Sequence, residues 1–260
     1  MSAVPVSVVI ICKNAAATIR QVVALAIALS NDVVVVDSGS TDDTLTLLQE
    51  YHVRVFHQNW LGYGATKNWG NNQAANDWIL SLDADEIIDD QLIDAIRRLD
   101  FSSEESVYKI KRLNYLKDKP IRHGEWGRDW TIRLFNRHRV QWDNAPVHES
   151  LILPPNTIVK SLAGLLHHYT TTDIKAYNLK LEKYADLMAE RYFAAGKRGS
   201  IAKAYMSSVF NFAKFYFFYG GYLDKGVGWQ IAIAHARYTF RKYEMLVALQ
   251  QKATNVNSKP

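Results

Sequence analysis

The first hundred residues alternate two hydrophobic patterns, and that alternation restricts the fold more than any other feature of the chain. Val6–Cys12 is an unbroken apolar, β-branched run, the pattern of a strand covered on both faces. Residues 15–29 are alanine-rich and predict a helix, and residues 32–36 repeat the strand pattern. Thr41 or Asp42 can cap a helix over residues 44–51. Residues 53–58, 65–75, 78–82 and 89–99 continue as strand, helix, strand and helix. A chain in this rhythm builds a mostly parallel sheet flanked by helices, so the expected fold class is α/β. Such sheets bind ligands beyond the carboxyl ends of their strands. Lys13 and Asn14, Asp37 and Ser38, and Asp83 to Asp85 are therefore expected at one edge, although they are far apart in sequence.

The rest of the chain changes character. Residues 107–113 and 130–135 read as strands around a charged, aromatic loop, and Pro154-Pro155 punctuates a hairpin-like stretch. From Ile174 the pattern is helical, and a polar tail from Lys252 is expected to fray. With 260 residues, 48% of them hydrophobic, the chain can bury one large domain, or one domain with an appended subdomain. Its single cysteine, Cys12, excludes an intramolecular disulfide and a multi-cysteine metal site, and suits a reducing compartment. Met-Ser-Ala-Val-Pro leads directly into a strand with no signal-peptide pattern, so a cytoplasmic protein is expected. Charge is uneven: residues 1–159 carry 16 basic and 20 acidic side chains, and residues 160–260 carry 15 and 6. A C-terminal part with a net charge of +9 suggests an anionic partner.

The most informative segment is Ile79-Leu80-Ser81-Leu82-Asp83-Ala84-Asp85-Glu86. An apolar strand delivers two carboxylates to the sheet edge, and they share a face as long as the run stays extended. Adjacent like charges need neutralising. Mg2+ or Mn2+ does so with one or two carboxylates, waters and the oxygens of a substrate diphosphate. The turn Asp37-Ser38-Gly39-Ser40-Thr41-Asp42-Asp43-Thr44 follows the second strand. Its first carboxylate can accept from a uracil N–H or ribose hydroxyls, while Asp42 and Asp43 suit turn and cap roles. Gly62-Tyr63-Gly64-Ala65-Thr66-Lys67-Asn68 opens a helix, allows close backbone approach and offers Lys67 to a phosphate. It lacks the lysine-hydroxyl ending of a Walker loop.

With these features the chain resembles family 2 glycosyltransferases of the GT-A fold. The resemblance is carried by Cys12-Lys13-Asn14, the Asp37 turn, the Lys67-Asn68 helix start and Asp83-Ala84-Asp85. Arg133-Leu134-Phe135, Pro146-Val147-His148-Glu149 and His167-His168-Tyr169 further resemble lipopolysaccharide and lipooligosaccharide core β-glucosyltransferases. The resemblance implies a GT-A catalytic domain over residues 1–170, with nucleotide binding in about 1–100 and acceptor binding in about 101–170. A helical, basic and aromatic extension would follow over 171–260. It implies inverting transfer of glucose from UDP-glucose to an inner-core heptose, with Mg2+ or Mn2+. Lys13, Asn14, Asp37, Lys67 and Asp83 would bind the donor, Asp85 the metal, and Glu149 would act as base. A part for His148 is left open.

The remaining candidates follow from chemistry. One of His167 and His168 could complete the metal site, since adjacent residues on a strand face opposite ways. Trp126, Arg128 and Asp129, in Gly124-Glu125-Trp126-Gly127-Arg128-Asp129-Trp130, suit recognition of an acceptor sugar. Residues 205–249 interleave aromatic and basic side chains without an apolar run of spanning length. That suits peripheral contact with an anionic membrane surface on the cytoplasmic side, where a lipid-linked oligosaccharide acceptor would be met. No nucleic-acid module is recognisable, so no nucleic-acid partner is expected. Three other readings compete. A sugar nucleotidyltransferase would need a glycine- and lysine-rich loop after the first strand, which Lys13-Asn14-Ala15-Ala16-Ala17 does not supply. A transferase to a polyprenyl phosphate is a variant of the first reading. A non-catalytic membrane adaptor would have no use for Asp83, Asp85 and Glu149.

Overall fold

The structure is a computed structural model that describes residues 4–143, 149–171 and 173–257. The chain forms two compact units, residues 1–112 with 129–168, and residues 113–128 with 169–260.

The strands that lie wholly or mostly in the first unit are β1 (Val6–Cys12), β2 (Asp32–Asp37), β3 (Arg54–His57), β4 (Trp78–Asp83), β5 (Glu86–Ile88), β6 (Ser106–Leu116), β8 (Trp130–Asn136), the short pair β9 (Gln141–Trp142) and β10 (Leu151–Ile152), and β11 (Ile158–Thr171). The order β3-β2-β1-β4-β8-β6-β11-β5 forms the main sheet. Its β3-β2-β1-β4 part is parallel, as the alternating pattern predicts, and β8 joins antiparallel to β4. Helices α1 (Ile19–Leu29), α2 (Thr44–Leu48), α3 (Tyr63–Asn72) and α4 (Asp90–Arg97) connect the strands.

β1 shows why its run is apolar at every position. Val8 and Ile10 pack in one core with Val22, Val23 and Ala26 of α1. Val9 and Ile11 pack in a second core with Val34, Val36, Ile79 and Phe135. Each of these valine, isoleucine and phenylalanine side chains, fully buried, contributes roughly 1.5–3 kcal/mol of transfer free energy. α3 lies against the second core because Gly70 has no side chain: a Cβ there would come within 2.8 Å of Val9 and Val36.

Helix starts and ends differ from the sequence pattern where side chains bond elsewhere. α1 begins at Ile19, not at residue 15, because the preceding residues form a turn tied to other loops. Ala15 N donates to Thr44 Oγ1 (2.8 Å), and Thr18 Oγ1 donates to the Ala84 carbonyl (2.7 Å). Asp42 accepts from Thr44 N, the turn role expected of it.

The second unit holds the far ends of β6 and β11, the hairpin strand β7 (Lys119–Ile121), and helices α5 (Ile174–Ala194), α6 (Ile201–Ala213) and α7 (Lys225–Asn257). Its core contains Leu116, Ile121, Trp126, Tyr177, Leu181, Ile231 and Ala234. No helix among the described residues is long and apolar enough to cross a membrane.

Candidate active site

Strand register alone assembles one end of the site. Ile11 pairs with Val36 on one side and Asp83 on the other, and Cys12 pairs with Asp37. The β1, β2 and β4 carboxyl ends are thus level to within one residue. Lys13 and Asn14 follow β1, and both are exposed. Asn14 adopts φ 53°, a left-handed conformation that asparagine tolerates better than most residues. There it joins the loops: Asn14 N donates to Ser40 Oγ (2.8 Å), and Asn14 Oδ1 accepts from Thr41 N (2.7 Å).

Asp37 is buried and largely engaged by its own turn. Gly39 N donates to Oδ2 at 3.0 Å, and Ser40 donates through N at 3.1 Å and through its hydroxyl to Oδ1. Burial alone would raise its pKa, but the hydrogen bonds from Ser40 and Gly39 outweigh it and hold the carboxyl below its ordinary value. Turn chemistry, which the sequence reading left mainly to Asp42 and Asp43, therefore also occupies Asp37. Cys12 beneath it has its thiol pushed up by burial and by the Asp37 charge, so it is an inert core thiol.

The largest departure from the sequence expectation is Lys67. A lysine expected in the first turn of a helix is ordinarily solvated, yet Lys67, the fifth residue of α3, is 1% exposed. Its Nζ lies 2.7 Å from Glu149 Oε1 and 3.0 Å from Asp83 Oδ1, with the Trp142 ring 4.6 Å away. It is thus bonded to two carboxylates where a contact with phosphate was expected. Local sequence builds this contact. Gly64 lets α3 approach β9, since a Cβ there would meet the Asp143 carbonyl at 1.8 Å. Asn68 clamps the backbone of Trp142, donating Nδ2 to its carbonyl (2.9 Å) and accepting its N–H (3.0 Å). Glu149 stands two residues before the return strand β10, with a side chain 15% exposed. His148, Pro146 and Val147 lie outside the described residues.

Behind this bridge lies a second layer of charge, in which Arg133, Arg112 and Glu86 have no role assigned from the sequence and Asp129 is expected at an acceptor sugar instead. Arg133 Nη2 binds Asp83 Oδ2 at 2.8 Å and Glu86 Oε1 at 2.5 Å. Arg112 binds the same Glu86 oxygen at 3.1 Å and Asp129 Oδ2 at 2.8 Å. Asp83 N donates to Glu86 Oε2 (3.1 Å). Lys67, Arg133 and Arg112 thus face the carboxylates of Asp83, Glu86, Glu149 and Asp129, leaving the cluster net negative. Burial alone would raise the Asp83 pKa, but the Arg133 and Lys67 charges outweigh it and hold the carboxyl well below the usual range. Burial alone would lower the pKa of Arg133, but Glu86 and Asp83 raise it. The available signal was a charged residue inside an apolar strand pattern, as in Thr131-Ile132-Arg133-Leu134-Phe135.

Asp83 and Asp85 do not share one extended face. β4 ends at Asp83, and Ala84-Asp85 form a turn. Asp83 is held by Lys67 and Arg133, whereas the Asp85 side chain is 44% exposed with its Oδ2 3.5 Å from His168 Nε2. The pairing of β11 with β5 causes this: His168 sits opposite Glu86, and His167 opposite Ile87. Of the two histidines, His168 is the one beside Asp85. No group of three or more His, Cys, Asp or Glu with metal-site geometry occurs among the described residues. One carboxylate and one imidazole fit a cation that takes its other ligands from diphosphate and water.

The expected acceptor triplet is divided. Trp126 is 7% exposed in the core of the second unit, edge-on to Tyr177 and donating Nε1 to its hydroxyl (3.3 Å). With its ring covered it cannot stack on a sugar, which corrects that expectation. Arg128 is exposed, with its guanidinium 4.4 Å from the centre of the Tyr219 ring. Asp129 belongs to the first unit and is engaged by Arg112.

The family described as Glycosyl transferase family 2 matches residues 7–149, more than half of the chain, and the chain belongs to that family. It is a glycosyltransferase. The lipopolysaccharide core biosynthesis glycosyltransferase LpsC of Rhizobium meliloti (strain 1021) is 28% identical over 91% of this chain and 89% of that protein. An uncharacterized glycosyltransferase of Rickettsia typhi, RT0209, is 26% identical over 96% and 89%. Among solved structures, S. aureus TarS superposes with a TM-score of 0.45 at 16% identity, over 85% of this chain and 45% of that one. Glucosyl-3-phosphoglycerate synthase from Mycobacterium tuberculosis, in complex with Mn2+, UDP and glucosyl-3-phosphoglycerate, gives 0.34 at 22% identity, over 42% and 44%. The chain thus spans less than half the length of either solved chain.

Proposed function

We propose that this chain is an inverting, metal-assisted hexosyltransferase that transfers glucose from UDP-glucose to an inner-core heptose of lipopolysaccharide, a lipid-linked acceptor at the cytoplasmic face of the membrane. The observation that carries the reading is the Lys67 bridge, which ties Glu149 to Asp83 at the carboxyl edge of the parallel strands. Similarity to a lipopolysaccharide core biosynthesis glycosyltransferase supports the acceptor class. The donor follows from the family resemblance.

In this reading Lys67 holds Glu149 Oε1 and leaves Oε2 to accept the proton of the acceptor hydroxyl. The hydroxyl oxygen forms its bond to the anomeric carbon as the bond from that carbon to the diphosphate oxygen breaks, and UDP leaves with the electron pair. Asp85 and His168 would hold Mg2+ or Mn2+, which when bound neutralises the leaving diphosphate. The Asp37 turn, Lys13 and Asn14 line the base and ribose side. Ser38 Oγ is buried there with no hydrogen-bond partner among the described residues, a polar group suited to a ligand.

Calorimetric titration with UDP-glucose, UDP-galactose and UDP, each with Mn2+ and with chelator, tests this. Metal-dependent binding of UDP with a preference for the glucosyl donor is expected. Failure of every uridine nucleotide to bind under either condition would overturn it.

A further inference from the structure

Helix α6 is inverted. Ala204 is buried, Ser208 Oγ donates to the Ala236 carbonyl (2.8 Å), and Asn211 Nδ2 donates to Thr239 Oγ1 (2.6 Å). Spaced i, i+4 and i+7, these three form one helical face, and this small, polar face packs on α7. The remaining surface presents Ile201, Tyr205, Met206, Val209 and Phe210, which are between 45% and 73% exposed. The π-helical turn Lys214–Phe218 extends the patch, with Phe217 and Phe218 outward and Phe215 buried. Beside the turn the rings of Phe212, Tyr216 and the half-exposed Trp229 meet at 5.0–5.4 Å.

An apolar surface this continuous marks an interaction site. Its surroundings select the partner. Over residues 197–229 the charged side chains are Lys197, Arg198, Lys203, Lys214, Lys225 and Asp224, and Asp224 is bonded to His123 Nδ1 (3.1 Å). A second copy of the chain would set the same cations against each other. An anionic lipid surface instead satisfies both the cations and the apolar face.

We propose that α6 and the following π turn form a membrane-docking element that lies in the headgroup layer of an anionic bilayer. Met206, Val209, Phe210 and Phe218 face the acyl chains, and Lys203 and Lys214 face the phosphates. The inference deepens the membrane-bound acceptor of the proposed function and rests on that reading for its biological setting. It also narrows the aromatic tail: Tyr238, Phe240 and Tyr243 on α7 are partly buried and take no part.

Co-sedimentation of the full chain with phosphatidylglycerol-containing vesicles and with phosphatidylcholine vesicles tests it. The parent is expected to partition onto the anionic vesicles, less so at high salt. The double variant Val209→Glu/Phe218→Glu is expected to lose about tenfold or more in partition, with an unchanged melting temperature. The milder Val209→Ser/Phe218→Ser is tested alongside in case the charged variant does not fold. Equal partition of parent and folded variant, or no binding of the parent, would overturn the proposal. So would a dimer that the variant dissolves while vesicles remain unbound. UDP titration of the same samples keeps the two readings apart: vesicle binding without nucleotide binding would sink the donor site and leave this element standing.

Discussion

Lys67 on α3 is 1% exposed, whereas Phe218 on the π turn is 78% exposed. Each side chain occupies the kind of place ordinarily held by the other. In the first unit a lysine is drawn inside because Asp83 and Glu149 are already there, and a buried charge is tolerable only when paired. In the second unit aromatic side chains stay outside because the inner face of α6 is taken up by Ala204, Ser208 and Asn211 against α7. Exceptions to hydrophobic partition are costly, and in this protein each marks a surface or cluster suited to a partner.

The comparison can be tested from both sides. The largest effect is expected from Glu149→Gln, which should keep donor binding and reduce transfer about 10²–10⁴-fold, the usual contribution of a positioned base. Full transfer by this variant would remove the assignment. Lys67→Met should destabilise the protein by about 3–5 kcal/mol in denaturant unfolding, because two carboxylates lose their common partner. A loss below about 1 kcal/mol would show that the buried bridge is not needed. Asp85→Ala should weaken donor binding about tenfold with Mn2+ and leave it unchanged with chelator. Equal affinities for parent and variant in Mn2+ would exclude Asp85 as a ligand.

A smaller effect is expected with pH. The Asp83 carboxyl is held below its ordinary value when folded, so at acid pH the unfolded chain binds more protons. The stability this contributes is present above about pH 4, the unfolded value, and is lost as pH falls toward the folded one. The melting temperature of the parent should thus fall more steeply on acidification than that of Asp83→Asn, and parallel curves would contradict the pairing. The smallest effect is expected from Phe218→Ser, which should change stability by no more than about 0.5 kcal/mol, since an outward ring contributes little to the core. A large loss would mean that the ring is covered in solution.

Legibility followed the range of the interactions. The parallel strands and the acidic end of β4 could be read directly, because each depends on residues within a few positions; the glycines of α3 announce a close approach, but what they approach, Asp143 at Gly64 and Val9 and Val36 at Gly70, is distant in sequence. Trp126 was misplaced: an aromatic beside Arg128 and Asp129 looks the same in sequence whether it meets a sugar or, as here, Tyr177. Arg133 and Glu86 went unassigned because their importance comes from each other, across β8 and β5.

By itself the sequence determined the two-faced strands, since side-chain alternation and β-branched runs act locally. It also determined which residues gather at the carboxyl edge, because parallel register carries strand ends to one level. Only the tertiary structure decided that Lys67 is buried, since Glu149 lies 82 residues away and reaches it through Asn68 and Trp142. Only the packing of α6 on α7 decided which of its faces remained outside. A helix carries both faces in its sequence, and the neighbour that covers one of them selects the other for the surface.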